Sequence, residues 1–566
     1  MAADRAKARA KRNILFIMFD QLRFDYLSCA GHPTLRTPNI DRLAARGVRF
    51  TNAYVQSPIC GSSRMSFYTG RYVHSHGASW NGVPLKVGEM TLGDHLRQRG
   101  MDAVLVGKTH MRVDRAGMER LGLEPDSIIG ARVSECGFDV WLRDDGIWPE
   151  GPDGAYDDDA RSPYNAYLNS LGYEGANPWH DHANAGTTDK GEMASGWFLG
   201  HSRHEANIAE EHSETPWLTR ETIAFMESRR DDDRPWLCHA SYIKPHWPYI
   251  APAPYHAMYD ETHVPPANRS EAERADAHPV HAAFMQNVVG RAYHRQDVRE
   301  TVIPAYMGLI KQCDDQMGVL FDYLERSGRM ADTMIVLTSD HGDYLGDHWC
   351  GEKGFVHDCS AKVPMIVYDP SPEADATRGT VCDALVESID LAATFTDWTA
   401  GDMPDHIIEG RSLLPWLHGR TPDDWREFTL TEYDYSQTPM RDVLGVDVKD
   451  ARLFALFDGR FKFIHFEGER EGEPIRPMLF DLAADPDELN DLARDPAAHG
   501  PLVARMMERL GGWARRVSQR TTLSDADIRA MTGKSRRRGV VLGAVDESDV
   551  PEDLTIKYRG PSPKRP

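Results

Sequence analysis

Groups that can ligate a metal or move a proton follow directly on apolar runs at four places in this 566-residue sequence. Asn13-Ile14-Leu15-Phe16-Ile17-Met18-Phe19 stops at Asp20-Gln21, and Ala103-Val104-Leu105-Val106 stops at Gly107-Lys108-Thr109-His110. The run from Trp236 to Ile243 stops at Lys244-Pro245-His246, and that from Met334 to Ser339 at Asp340-His341-Gly342. Two carboxylates and a neutral imidazole form a donor set suited to Mn²⁺, Ca²⁺ or Zn²⁺. One Asp-His-Gly alone is as readily a turn held by its own Asp. Four such clusters are explained most simply by one site. A fifth segment, Ser57 to Arg71, contains Cys60-Gly61-Ser62-Ser63-Arg64. Ser62 or Ser63 is suited to cap a short helix, which sets Cys60 near a helix N-terminus where backbone N–H groups and Arg64 favour an anionic nucleophile. A lone cysteine is more commonly a buried, inert thiol, so its reading rests on its company.

The elements that must bring these groups together are visible as pattern. The four runs are apolar throughout, as strands buried on both faces of a parallel sheet are, and parallel strands deliver their carboxyl ends to one edge. Between them lie helical signals. Thr37-Pro38-Asn39 leads into Ile40 to Arg46 and stops at Gly47, and a periodic segment runs from about Tyr306 to Leu324. The alternation predicts an α/β sandwich, a large mixed and mainly parallel sheet between helices. Residues 142–215 break the rhythm with Asp, Gly, Asn and His among Trp148, Trp179 and Trp197, and are read as an irregular insertion. From residue 420 to 566 a small C-terminal subdomain is expected, set against a catalytic domain of residues 1–419. It contains Leu453 to Phe457 and Phe461 to Phe466 joined by Asp458-Gly459, an antiparallel hairpin signal. A helix near Leu502 to Val517 and a polar tail with Arg536-Arg537-Arg538 follow. There is no internal repeat.

Composition bounds the partners. With 65 Lys and Arg against 87 Asp and Glu the net charge is -22, which argues against nucleic acid held on a basic surface. An anionic substrate therefore needs a locally positive pocket. No apolar run is long enough to span a membrane and no secretory region precedes Asp20. Eight scattered cysteines read as reduced thiols in a cytoplasmic protein.

At this point the residues amount to a resemblance. Cys60-Gly61-Ser62-Ser63-Arg64, with Thr69-Gly70 following, resembles the signature of the sulfatases, in which the Cys is oxidised to formylglycine and its hydrate is the nucleophile. Asp20, Gly107-Lys108-Thr109-His110, Lys244-Pro245-His246, Ser339-Asp340-His341-Gly342 and Gly351-Glu352-Lys353-Gly354 fall in the order of that branch of the alkaline phosphatase superfamily. The resemblance implies an alkaline-phosphatase-like fold and hydrolysis of sulfate monoesters of the arylsulfatase type, with promiscuity toward phosphonate and phosphate esters. It implies one divalent ion on Asp20, Gln21, Asp340, His341 and the side chain at position 60. Lys108 and Lys353 would hold the ester's oxygens, His246 or Lys353 would protonate the leaving alcohol, and His110 would be a base. Arg64 and Lys108 would fix the aldehyde hydrate, and Asn81 would touch a substrate oxygen. The resemblance also implies that Arg64, Lys108, Lys244 and Lys353 converge in the locally positive pocket. The implied partners are a small anionic ester, a formylglycine-generating maturation enzyme and further copies of the chain in a dimer or tetramer.

The sequence departs from the pattern at Ser62, where sulfatases usually have Pro or Ala, and at Gln21 and His341, where many have Asp and Asn. Gln21, His341 and Pro254 to Tyr259 look more like the phosphonate monoester hydrolases of the same superfamily, whereas Lys108 and His110 are the sulfatase pair. The alternatives are a phosphonate monoester hydrolase with the same site and an unmodified, inactive anion-binding homologue. A phosphomutase-like isomerase would need a second metal cluster and a Ser or Thr nucleophile, and the sequence displays neither.

Overall fold

Apolar side chains on both faces leave a strand nowhere to go but between two layers of helices. β1 (Asn13–Asp20), β2 (Val48–Tyr54), β3 (Asp102–Gly107), β4 (Asp139–Arg143), β5 (Trp236–Pro245), β6 (Thr333–Ser339), β7 (Met365–Tyr368) and β8 (Thr380–Glu387) form one sheet in the order β8-β2-β7-β6-β1-β5-β3-β4. β7 runs antiparallel to both its neighbours and the other pairings are parallel. The computed structural model describes residues 12–146, 162–175, 177–399, 403–516, 522–531, 545–546 and 548.

The strand period of two divides β1 between two cores. Leu15, Ile17 and Phe19 meet the helices Pro38–Ala44 (α1), Glu214–Ser228 (α3) and Gln296–Arg326 (α4), through residues such as Trp217, Phe225, Ile303 and Ile310. Ile14, Phe16 and Met18 face the helices Cys60–Thr69 (α2) and Asp390–Trp398 (α5), through Met65, Phe67, Leu391 and Phe395. The four runs that end in chemistry are β6, β1, β5 and β3, adjacent and parallel, so their carboxyl ends share one edge.

Two helices differ from their expected form. α4 begins at Gln296 and carries Pro304 inside it. The proline removes one backbone bond, but Val302 and Ile303 are fully buried and extend the apolar face past it. At the start of α1, Thr37 makes no cap bond. The free N–H groups of Asn39 and Ile40 instead donate to Asp314 Oδ1 of α4, each at 2.9 Å.

A second, antiparallel sheet contains β9 (Thr429–Asp434), β10 (Arg452–Phe457), β11 (Phe461–Phe466) and β12 (Met478–Asp481), with β10 and β11 joined through Asp458-Gly459 as expected. The helix α6 (Pro496–Ala514) starts earlier than the pattern indicated, because Asp495 caps it through Ala498 N and Pro496 opens it. Within the insertion, Pro163–Ser170 is helical and Ala185–Thr187 pairs with Met193–Ser195. Trp148 and Arg536 to Arg538 lie outside the described residues. All eight cysteines are free, and no described helix is long and apolar enough to cross a membrane.

The second sheet is tied to the first unit by a buried cation. Lys462 of β11 pairs with Asp358 and with Glu488 Oε1 at 2.7 Å, and donates to the Val356 carbonyl at 3.3 Å. Asp358 closes the loop that carries Lys353. Removing the cation strands two buried carboxylates, so Lys462→Met should cost about 3 kcal/mol of stability, read as a lower urea midpoint. An unchanged midpoint would show that this cluster does not hold the sheet.

Candidate active site

Asp20 ends β1 and Asp340 follows β6, so adjacent strands set two carboxylates side by side, both with no exposed surface. Arg64, also fully buried, reaches between them from α2. Its Nε donates to Asp340 Oδ2 at 2.8 Å and its NH2 group to Asp20 Oδ2 at 3.2 Å. NH1 donates to Ser241 Oγ and the Lys108 carbonyl. Arg64 thus lies behind the carboxylates, its donors spent on the frame. Lys108 Nζ stands 2.7 Å from Asp20 Oδ2. Burial alone would raise the Asp20 pKa, but Lys108, then Arg64 and Lys353, hold it well below the usual carboxylate range.

The remaining carboxylate oxygens face inward. Asp20 Oδ1 and Asp340 Oδ1 lie 3.6 and 3.7 Å from His341 Nε2, and Cys60 Sγ lies 3.0 Å from the same nitrogen. His341 Nδ1 is 2.8 Å from the Gly342 carbonyl, so Nδ1 carries the proton and Nε2 offers a lone pair. Burial keeps the ring neutral by lowering its pKa. The ligating atoms of Asp20, Cys60, Asp340 and His341 all lie within 4.8 Å of one another. The set fits a divalent ion, with two anionic oxygens, a neutral imidazole and a tautomer fixed by a carbonyl. Glu273, His348 and His357 form a second compact group, but the two imidazoles are stacked 3.8 Å apart with planes 10° from parallel. Their lone pairs therefore do not converge.

Cys60 is the first residue of α2, with Ile59 as its N-cap. Neither serine caps the helix as expected. Ser63 Oγ donates to the Asp340 carbonyl at 2.6 Å, and Ser62 Oγ is buried without a partner. The first intrahelical bond runs from Ser63 N to the Ile59 carbonyl, so position 62 needs no N–H, which is why a proline suits it in the related signature. Gly61 N donates to Asn81 Oδ1 at 2.8 Å, and a Cβ on Gly61 would meet that same oxygen at 3.0 Å. Asn81 therefore pins the helix start and leaves its amide nitrogen for any substrate contact.

Lys353 closes the site from above. Its Nζ lies 3.1 Å from Cys60 Sγ, 3.0 Å from Gln21 Oε1 and 3.0 Å from His246 Nε2. Burial opposes its charge, but the neighbouring Cys60, Asp20 and Glu352 outweigh burial and raise its pKa. Burial, reinforced by Lys353, drives His246 well below the usual range. With His246 Nδ1 2.6 Å from the Trp247 carbonyl, the ring is neutral, protonated at Nδ1, and accepts from Lys353 at Nε2. His110, on the far side, is likewise held neutral by burial and by Lys108, against the pull of Cys60.

Lys244 does not join the other cations. Its Nζ donates to Asn184 Oδ1 at 2.8 Å and to the Pro248 and His246 carbonyls, and burial lowers its pKa to about 8 against the pull of Glu214. The backbone needs it there, because a loop after a strand leaves carbonyls unpaired. Gln21 is gripped on its other end, Nε2 donating to Tyr249 Oη at 2.9 Å and to Asp343 Oδ2 at 2.5 Å. Asp145 had no place in the sequence reading. Its Oδ1 accepts from Thr109 N and His110 N, each at 3.1 Å, while Arg143 ties it to Glu135. Its signal was present as Asp144-Asp145-Gly146 after β4, a fifth strand end hidden at the onset of the insertion.

Comparison with known proteins agrees with this geometry. The sulfatase family profile matches residues 12–401, and one described as N-sulphoglucosamine sulphohydrolase, C-terminal, matches residues 346–515. The multifunctional alkaline phosphatase superfamily protein PehA of Trinickia caryophylli is 30% identical over 555 residues, covering 90% of this chain and 96% of that protein. An arylsulfatase of Clostridium perfringens is 28% identical over 509 residues, covering 85% and 90%. The solved phosphonate monoester hydrolase from Silicibacter pomeroyi superimposes with a TM-score of 0.77 at 26% identity, covering 91% of this chain and 98% of that one. The chain belongs to the sulfatase family of sulfuric ester hydrolases, within the alkaline phosphatase superfamily.

Proposed function

We propose that this chain hydrolyses sulfate monoesters with a formylglycine at position 60, and accepts phosphonate monoesters in the same cleft. The observation that carries the reading is the convergence on one atom, Cys60 Sγ, of His341 at 3.0 Å, Lys353 at 3.1 Å and Asp20 at 3.7 Å, at the start of a helix. The second substrate is favoured by Gln21 and His341, which replace the Asp and Asn of many sulfatases, and by the likeness to a phosphonate monoester hydrolase. Both esters carry a single negative charge on a tetrahedral centre.

Asp20, Asp340, His341 and the amide oxygen of Gln21 would hold the ion together with position 60, and one imidazole among oxygens favours Mn²⁺ over Ca²⁺. When bound, the ion lowers the pKa of a hydroxyl at position 60. A hydrated aldehyde there has a second hydroxyl, through which the anion is expelled without attack by water on sulfur.

The remaining roles belong to side chains already in place. Lys108 and Lys353 meet the non-bridging oxygens with fixed positive charge, and the Asn81 amide nitrogen donates to a further one. The leaving oxygen takes its proton from Lys353, because His246 is neutral and accepts at the nitrogen facing it. His246 orients that donor and relays the proton back. His110, neutral and influenced by position 60, accepts the proton released in the final collapse. Arg64 touches no substrate and holds the two carboxylates in register.

Mass spectrometry of the Cys60 peptide should show an aldehyde fraction below one, since Ser62 departs from the usual signature, and activity per molecule should scale with that fraction. Cys60→Ser should accumulate a covalent ester and stall. Full activity in a sample containing only the thiol would overturn the mechanism. Asp340→Asn should bind the ion at least about tenfold more weakly, seen by elemental analysis of dialysed protein with the circular dichroism unchanged. Lys353→Ala should slow esters of poorly acidic alcohols far more than 4-nitrophenyl sulfate, whose leaving group needs little protonation. Equal slowing of both would assign the proton to another donor.

A further inference from the structure

A run of aromatic rings rises from the proton donors, and the mechanism makes no use of it. The His246 imidazole lies against Trp247 with centroids 4.5 Å apart. Trp247 meets Trp197 edge-on at 4.9 Å, and Trp197 leans on Trp179 at 6.2 Å. Exposure climbs from His246 to Trp197 and falls again at Trp179, which is 4% exposed. His246 is 2% exposed, Trp247 is half-buried and Trp197 is 39% exposed. The rings trace a path from the atoms that protonate the leaving oxygen out to solvent, and the alcohol of a bound ester must lie along such a path.

We propose that Trp247 and Trp197 form the subsite for the alcohol and select an uncharged aromatic one. The inference rests on Lys353 and His246 serving the leaving group. Three alcohol classes compete for an aromatic wall, and the surroundings separate them. A quaternary ammonium group would be drawn to a ring face, but Lys353 Nζ already stands 6.0 Å from the Trp247 centroid and would repel it. A sugar stacks on indole but also needs partners for its hydroxyls. Along this run the polar groups, with one exception, are committed. The Trp197 N–H donates to His180 Nδ1 at 3.0 Å and the Trp179 N–H to Glu214 Oε1 at 2.9 Å. The Trp247 N–H is the exception, buried with no partner, and one donor cannot meet the several hydroxyls of a sugar, while Lys244 and Asn184 hold each other. A flat apolar ring needs no such partner and gains an edge-on or offset contact with each indole. Trp197 comes from the irregular insertion, so the element that departs from the sheet's rhythm supplies the selectivity while the strands supply the chemistry.

The test separates binding from turnover by using sulfonates, whose carbon–sulfur bond the enzyme does not cleave. Dissociation constants of 2-naphthalenesulfonate and methanesulfonate are measured calorimetrically on metal-loaded protein, wild type and the variants Trp247→Ala, Trp197→Ala and Trp197→Phe. The wild type should prefer the naphthyl compound by at least about tenfold, the scale of one well-placed aromatic contact. Trp197→Ala should abolish most of that preference and leave methanesulfonate within about twofold, and Trp197→Phe should restore part of it. Because Trp197 is largely at the surface, its variants test the subsite even where Trp247→Ala folds poorly. Absence of preference in the wild type, or equal weakening of both sulfonates, overturns the proposal. So does a higher kcat/KM for choline sulfate or glucose 6-sulfate than for 4-nitrophenyl sulfate. A protein that prefers the naphthyl compound but cleaves no ester would keep the subsite and overturn the hydrolytic reading.

Discussion

Two carboxylates buried side by side are the constraint on which the rest of the site depends. Asp20 and Asp340 have no exposed surface, and isolated charges in such surroundings would protonate rather than persist. Arg64 and Lys108 prevent that, and each does so at a fixed distance from a fixed oxygen. The consequence is geometric. With the outer oxygens occupied by cations, the inner oxygens are left to face His341 and Cys60. A bidentate fork is the group that can bridge two acids from behind in this way, which a lysine at position 64 could not.

Holding that arrangement requires backbone that a plain strand end would not supply. Gln21, His110 and Glu352 all have positive φ, at 67°, 55° and 57°, and all flank residues of the site. Each such conformation costs on the order of 1 kcal/mol or more in a residue with a side chain. The compensation is visible beside each one. Gln21 N donates to Asp340 Oδ1 at 3.1 Å, His110 N to Asp145 Oδ1, and the Glu352 carbonyl accepts from Tyr344 N at 2.7 Å. Strain here turns a ligand or a base toward the cavity, and a backbone hydrogen bond keeps it turned. The Lys353 loop is also anchored from the second sheet, through Lys462 and Asp358, so that sheet helps to fix the proton donor.

What could be read from sequence follows the range of the interactions. The four strands were legible because burial on both faces writes itself as unbroken apolar runs, and their parallel order then implied that Asp20, Lys108, His246 and Asp340 meet. The position of Cys60 at a helix start was legible too. Its capping was not, because the bond to Gly61 N comes from Asn81, and that oxygen has no local pattern. Asp314 capping α1 across 275 residues is the same failure at greater distance. Lys244 was placed in the cavity because its position after β5 matched the others. A side chain's direction after a strand end depends on which carbonyls the loop leaves unpaired, and the sequence does not display that. Asp145 was missed because a short, half-buried β4 reads as the start of the irregular segment.

The balance of charge explains how one cleft can serve two esters. Two carboxylates face three fixed cations, Arg64, Lys108 and Lys353, and a divalent ion adds to the excess. A sulfate monoester and a phosphonate monoester each bring one negative charge and the same tetrahedral outline, so neither charge nor shape separates them at the reacting centre. A phosphate monoester brings more charge, which these lysines can also meet at some cost in desolvation. Attraction to the cavity is local, because the chain carries -22 overall and salt screens exposed charge beyond about 8 Å. Discrimination among esters must then come from the part of the molecule that differs, the alcohol. Contacts outside the carboxylate floor, on elements free to vary without disturbing Asp20 and Asp340, are where selectivity can change while the chemistry is conserved.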